Sequence, residues 1–322
     1  MPPALGYKIG RPVPRPPLIP GSPSALRLAL LALAAGAACI ALSPILVRVS
    51  EVGPTVTAFW RAALAVPFLA ILVAGAGREQ RTIRPADRWR LAAAGLFFAG
   101  DLAFWHWSIR FTSVANATLF ANFAPVFVAA GAWLMFGERP GMRFLSGLAL
   151  AFAGAFCLLG ESLRIGGDRA LGDLLGIATA VCLSSYLLAV RSLRARLGAA
   201  GIMLWTSLAT ATVLLPVAWL SGEDFWPATL AGWAVLVGLG LLSHAMGQGL
   251  IAFALAHLPA GFSALALLLE PVLAALFAWM WLGEGLGWLQ WLGGVAVLAG
   301  IAVAARGLRP PRPPIADPAR RP

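Results

Sequence analysis

Apolar residues run along the chain in ten blocks, each about 20 residues long, the length of helix that crosses a hydrocarbon core of about 30 Å. The blocks fall near 27–47, 54–75, 91–110, 114–136 and 143–160, then near 171–190, 200–219, 234–256, 260–282 and 288–305. Ala, Leu and Gly dominate them, and strict two-residue alternation is absent. In lipid the backbone must satisfy its own hydrogen bonds, so blocks of this kind predict helices and argue against a membrane β-barrel. The polar residues collect between the blocks and at the two ends, and few of them interrupt a block.

Two stretches of this pattern repeat. ANFAPVFVAAGAWLMFGE, residues 121–138, aligns without a gap on LLLEPVLAALFAWMWLGE, residues 267–284, at an offset of 146. Pro125 meets Pro271, Val126 meets Val272, Ala129 meets Ala275, Trp133 meets Trp279, and Gly137-Glu138 meets Gly283-Glu284. The match continues into the next block, where Gly147 meets Gly293 and Gly154 meets Gly300. Each copy holds five blocks, an odd number, so two copies joined by a short loop must enter a membrane from opposite sides. The expected fold is therefore an all-α membrane protein of ten transmembrane helices in two inverted five-helix repeats, 27–160 and 171–305. Inverted repeats are common in secondary transporters, where two similar halves exchange conformations and open a central site to each side in turn. Pro125 and Pro271 free a carbonyl inside a span and predict kinks there. Gly137 and Gly283 end a helix, and the acid after each is expected to open the next one under the favour of the helix dipole.

Composition agrees: 60% of the residues are hydrophobic and 11% charged, too few charges to cover a water-facing surface, where about a quarter is usual. The net charge of +11 does not point to nucleic acid, because the basic residues sit between blocks and form no folded basic face. With the N-terminus in the cytoplasm, nineteen Lys and Arg fall on the inner segments and four on the outer ones, Arg48, Arg110, Arg164 and Arg169. This bias places both termini inside. Residues 1–26 and 306–322 read as disordered cytoplasmic tails rich in Pro and Arg. A signal-peptide reading of the start competes, but the first apolar run continues to Arg48, long enough to span. Cys39, Cys157 and Cys182 all lie inside blocks, as packing residues.

Ionisable groups at bilayer depth cost about 2.5–3.5 kcal/mol each on insertion scales, which makes them candidates for function. They are Arg61, Asp101, His244 and Glu270. Asp101 heads a polar and aromatic face through Trp105, Ser108 and Thr112. Thr118 and Asn122, Ser263 with Glu270, and His244 with Gln248 form similar stripes, as a polar cavity for a substrate or coupling ion requires. At the offset of 146, Asp101 corresponds to Gly247 and Glu270 to Ala124, so the scaffold needs an acid at neither place. Arg61 either neutralises an acid or holds a substrate carboxylate. Glu270 either exchanges a proton as water access changes or pairs with a cationic substrate group. His106, beside Trp105 and Trp107, lies off the Asp101 face and reads as an interfacial anchor.

The chain resembles the drug/metabolite transporter superfamily, in particular its ten-helix members with two EamA-type repeats. The resemblance is carried by Trp60-Arg61, by Phe111-Thr112-Ser113-Val114-Ala115, by Pro125 with Gly137-Glu138, and by Leu269-Glu270-Pro271 with Gly283-Glu284, and it covers about residues 27–305. It implies a basket-like bundle in the plasma membrane around a central cavity. It further implies transport of amino acids, other small metabolites or toxic compounds, often outward and in some members coupled to protons. Gly100-Asp101-Leu102-Ala103-Phe104-Trp105-His106-Trp107 lies outside the general family pattern. A membrane-embedded enzyme and a channel are the competing readings. The sequence holds no G-x-S-x-G, H-E-x-x-H, phosphate-binding loop, metal-ligand spacing or cofactor motif, so no catalytic residue, metal or cofactor is expected.

Overall fold

A computed structural model describes residues 23–75, 83–112, 114–159, 170–283 and 285–308. The two tails, Ser113, Glu284 and the loops that carry Arg78, Arg81, Arg164 and Arg169 lie outside the described residues. All described regular structure is helical. The first copy comprises α1 (Pro23–Ala41), α2 (Ser43–Arg48), α3 (Pro54–Gly75), α4 (Pro85–Phe111), α5 (Val114–Ala121), α6 (Ala124–Phe136) and α7 (Met142–Leu159). The second comprises α8 (Ala170–Leu193), α9 (Ala199–Leu220), α10 (Leu230–Gly238), a π-helical stretch (Leu239–Gln248), α11 (Gly249–Ala254), α12 (Ala260–Ala266), α13 (Leu269–Leu282) and α14 (Trp288–Ala305).

These elements make ten spans, several of them broken. Eight helical stretches are long and apolar enough to cross a bilayer, and Met142–Leu158 is apolar but shorter. The third span starts at Pro85, six residues before the expected 91, because Pro85 and Asp87 suit a first turn where no N–H partner is needed. The fourth span breaks at Asn122–Phe123 and the ninth at Leu267–Leu268. Pro125 and Pro271 then sit in the first turns of α6 and α13, where a missing N–H leaves no gap in the ladder. The eighth span, expected to be a continuous helix, widens into ten π-helical residues flanked by Gly238 and Gly249.

The arrangement of the copies is legible in one seam. A Cβ on Gly147 of α7 would lie 2.5 Å from the carbonyl oxygen of Gly300 on α14, and one on Gly300 would lie 2.5 Å from that of Gly147. Gly154 and Gly293 meet in the same reciprocal way at 2.6 Å. Residue numbers rise along α7 as they fall along the facing α14, so the two helices are antiparallel. Gly147 and Gly293 are repeat counterparts, as are Gly154 and Gly300, so exchanging the copies maps each contact onto the other. The repeats are thus inverted about a pseudo-twofold axis through this seam. Other contacts obey it: α3 packs on its counterpart α9, and α4 packs on α8 as the π-helical stretch and α11 pack on α1. Lipid tails offer no hydrophobic drive for such packing, so small residues carry it by close approach. Ala29, Ala37, Ala62, Ala65, Ala94 and Ala151 are fully buried at these interfaces, while Leu31, Ile71, Leu134 and Leu220 present large apolar surface outward.

Carboxylates in the loops tie the copies together. Gly137, at φ +69, closes α6 with N–H bonds from Gly137 to Trp133 and from Glu138 to Ala132. Glu138 does not open the next helix as expected, since α7 begins at Met142. Its carboxylate accepts from the Ala260 N–H at 3.1 Å, capping α12 of the other copy, and pairs with Arg191 at 3.3 Å. A helix start with free N–H groups attracts an acid from wherever the fold supplies one. On the opposite side Glu51 caps α10 through Thr229, whose N–H and hydroxyl hold the Glu51 carboxyl below its ordinary pKa. Glu223 accepts from the Thr55 and Val56 N–H groups at 2.8 and 3.0 Å, from the Thr55 hydroxyl at 2.9 Å and from Arg110 at 2.7 Å. Beside it Trp60 Nε1 donates to the Phe225 carbonyl within a cluster with Trp226 and Trp233. Removing the Glu223 carboxylate uncaps α3 and frees Arg110 together. Glu223→Ala is expected to cost about 1–2 kcal/mol of stability and Glu223→Gln less, read as loss of the folded peak after heating in detergent.

Candidate functional site

Arg61 lies two turns into α3 and is buried at 8% exposure. Asp101 sits about 15 Å along α4 from its C-terminal end, at a rise of 1.5 Å per residue. Glu270 is the second residue of α13, at the break in the ninth span, where the positive end of the helix dipole favours a carboxylate. Arg61 is within electrostatic reach of both acids, and the acids of each other. Three separate spans, two from the first copy and one from the second, thus converge on one charge cluster. Both acids are half-buried and within electrostatic reach of Arg61. Among the described residues none of the three forms a direct ion pair with another, and the Arg61 Nε donor has no partner. A guanidinium held between two carboxyl groups without closing on either can take a further anionic group, and the acids can take a cationic one.

The wall beside this cluster is aromatic and polar. Tyr186 on α8 is buried, within electrostatic reach of Asp101 and Arg61, and donates to the Met203 sulfur at 3.5 Å. Its ring lies 4.7 Å from that of Phe98, which meets His244 edge-on at 5.3 Å. His244 is fully buried, and its Nε2 is 2.8 Å from the Ser207 hydroxyl on α9. Gln248, one turn further, is buried with its side-chain oxygen unpartnered.

The other sequence-predicted residues divide. Asn122, at the break in the fourth span, is half-buried with an unpartnered amide nitrogen, and Thr118 lies a turn before it. Trp105 is half-buried and packs edge-on against His106. Ser108 donates to the Gly172 carbonyl at 2.7 Å and Ser263 to the Pro259 carbonyl at 3.1 Å, so both hydroxyls are taken up in helix packing. Thr112 donates to Asp173 at 3.0 Å, between α4 and α8. His106 is no interfacial anchor: it is buried, and its Nδ1 lies 2.6 Å from the Leu102 carbonyl. Ser207, Phe98 and Tyr186 went unremarked in the sequence reading. Two carried a usable signal, since Ser207 is the repeat counterpart of Arg61 and Phe98 that of His244. Among the described residues no three His, Cys, Asp or Glu side chains come together to hold a metal.

Comparison with known proteins agrees with this architecture. The pattern of the EamA-like transporter family matches residues 27–160 and 170–306. A probable terminal-alkyne amino-acid exporter of Streptantibioticus cattleyicolor is 28% identical over 85% of this chain and 92% of its own length. An uncharacterised transporter of Archaeoglobus fulgidus is 26% identical over 84% and 96%. The pseudopaline exporter of Pseudomonas aeruginosa is 25% identical over 67% and 74%. One crystal structure superposes with a TM-score of 0.74 over 88% of this chain and 96% of its own, at 21% identity, and so shares the fold.

Proposed function

The chain belongs to the EamA-like transporter family, a multi-pass membrane transporter and not an enzyme, and we propose that it is a secondary carrier exporting a small zwitterionic metabolite of the amino-acid class. The observation that carries this reading is a buried Arg61 within electrostatic reach of Asp101 and Glu270, the two acids coming one from each inverted copy. Arg61 receives the substrate carboxylate through its planar fork of donors. Asp101 and Glu270 receive the ammonium group, or a coupling proton while the substrate is absent. Trp105, Thr118, Asn122, His244 and Gln248 line the remainder, and the breaks near Pro125 and Pro271 let the fourth and ninth spans bend. Two relatives are named as exporters, of an amino acid and of pseudopaline, which supports both the class and the direction. The excess of Lys and Arg on the segments between alternate spans supports a plasma-membrane orientation with both termini in the cytoplasm.

The test is counterflow of labelled amino acids in proteoliposomes. Saturable uptake that exceeds protein-free liposomes, shifts with an imposed pH gradient and disappears in Glu270→Ala is expected. Flux proportional to concentration at all levels would indicate a channel, and no flux of any zwitterion would overturn the substrate class.

A further inference from the structure

The chain has three histidines, and one of them is bonded differently from the others. In an α-helix a histidine readily satisfies its Nδ1 on the carbonyl four residues back. His106 does so on Leu102 at 2.6 Å, and His257 does so on Phe253 at 3.1 Å. His244 lies in the π-helical stretch, whose ladder runs from i to i+5, so the carbonyl four residues back is out of register. Its Nδ1 has no partner although the residue is fully buried. With the Ser207 hydroxyl donating to His244 Nε2 only Nδ1–H is left without a partner, whereas the reverse direction would strand both the hydroxyl proton and the Nδ1 lone pair, so we assign the first arrangement. Nε2 is then the acceptor, and the ring proton sits on Nδ1. Gln248, four residues on and on the same side of the helix, leaves its side-chain oxygen unpartnered at 6% exposure. A buried donor and a buried acceptor stand one turn apart, and His244 is within electrostatic reach of Arg61. π-helical turns recur at functional sites for the reason seen here: they release groups that an α-helix would satisfy internally.

We propose that His244 and Gln248 form a second subsite, which selects substrates whose side chain carries a neutral group that both accepts and donates a hydrogen bond, a carboxamide or a hydroxyl. Nδ1–H donates to the oxygen of that group, and the Gln248 oxygen accepts its N–H or O–H. The cluster around Arg61 holds the zwitterionic end, so this inference rests on the carrier reading given above. The first copy lacks the subsite, having Phe98 and Leu102 at the corresponding positions. The scaffold therefore tolerates apolar side chains there.

The experiment is counterflow of labelled L-norleucine in proteoliposomes, competed by unlabelled L-glutamine or L-norleucine, which are alike in length and differ in the carboxamide. Wild type is expected to prefer glutamine by more than about tenfold, the worth of one or two buried hydrogen bonds. The double variant H244F/Q248L, which installs the residues of the other copy, is expected to lose that preference, read as the ratio of the two competitors' inhibition constants. His244→Asn, whose amide N–H takes the position of Nδ1, is expected to keep it. A wild type without preference, a preference that survives in H244F/Q248L, or its loss in a His244→Asn protein that still carries norleucine would each overturn the subsite. Should the double variant carry nothing, His244→Asn decides. If wild type moves neither amino acid, the carrier reading fails and the subsite with it; norleucine flux without preference removes the subsite alone.

Discussion

Arg61→Met is expected to bring saturable zwitterion flux down to the level of protein-free liposomes, a loss of at least about 100-fold, equivalent to two charge-assisted hydrogen bonds of about 1.5 kcal/mol each. The residue is buried, within electrostatic reach of acids from both copies, and holds an unpartnered Nε donor. The other Arg and Lys side chains lie near span ends or between spans, so none is placed to replace it. Two effects must be separated. Deleting one member of a buried charge cluster destabilises by about 3–5 kcal/mol because the remaining charges lose their partner. The same deletion also removes the carboxylate anchor. R61M/D101N/E270Q relieves the first effect and leaves the second. The triple variant is expected to recover monodispersity and thermal stability near wild type, yet to transport nothing. Arg61→Lys keeps the charge but replaces the planar fork by a point charge, and is expected to fold normally with flux reduced about tenfold or more. Wild-type affinity and rate in Arg61→Met would reduce the guanidinium to a counter-ion and sink the assignment.

The helices that carry these residues could be read from the sequence, whereas their partners could not. The apolar blocks located the helical spans to within about six residues, eight of them long and apolar enough to cross a bilayer, because length and hydropathy directly express bilayer thickness. The offset of 146 foretold the inversion through the odd span count; it matched Gly147 with Gly293 and Gly154 with Gly300, but did not show that these glycines meet across an α7–α14 seam. It also isolated Asp101 and Glu270 as acids present on one copy only. What failed concerned local satisfaction. Ser108 and Ser263 have the same polar pattern as a cavity residue, but a carbonyl within reach takes up each hydroxyl. Glu138 was placed at the next helix in the chain, whereas the start of α12, 122 positions later in sequence, captures it. The importance of His244 comes from a widened helical ladder, and no periodicity in the sequence announces that Nδ1 is left free. Sequence patterns specify which side of a helix a group occupies; whether a neighbouring backbone has already claimed it depends on tertiary geometry.

The seam itself yields the second large effect, and on stability. Gly147→Ala, Gly154→Ala, Gly293→Ala and Gly300→Ala each place a methyl 2.5–2.6 Å from a backbone carbonyl oxygen, a distance no real contact tolerates. Neither side can yield by rotating a side chain, since both are main chain. The helices must move apart, losing close packing along their whole length, and each substitution is expected to cost about 3 kcal/mol. Gly75→Ala, in open space at the end of α3, is the control and is expected to be neutral. The inverted symmetry makes two sharper statements, both measurable as heat-induced aggregation in detergent. Counterpart variants, Gly147→Ala with Gly293→Ala and Gly154→Ala with Gly300→Ala, should be destabilised alike to within about 1 kcal/mol. Facing variants should be non-additive: once Gly147→Ala has separated the helices, Gly300→Ala fits the gap already made, so the double variant costs less than the sum. Strict additivity, or four variants as stable as wild type, would mean that the helices do not meet backbone to backbone. The contact that fixes the two copies as antiparallel partners would then be lost, and with it the geometry that brings Glu270 of one copy to Arg61 of the other.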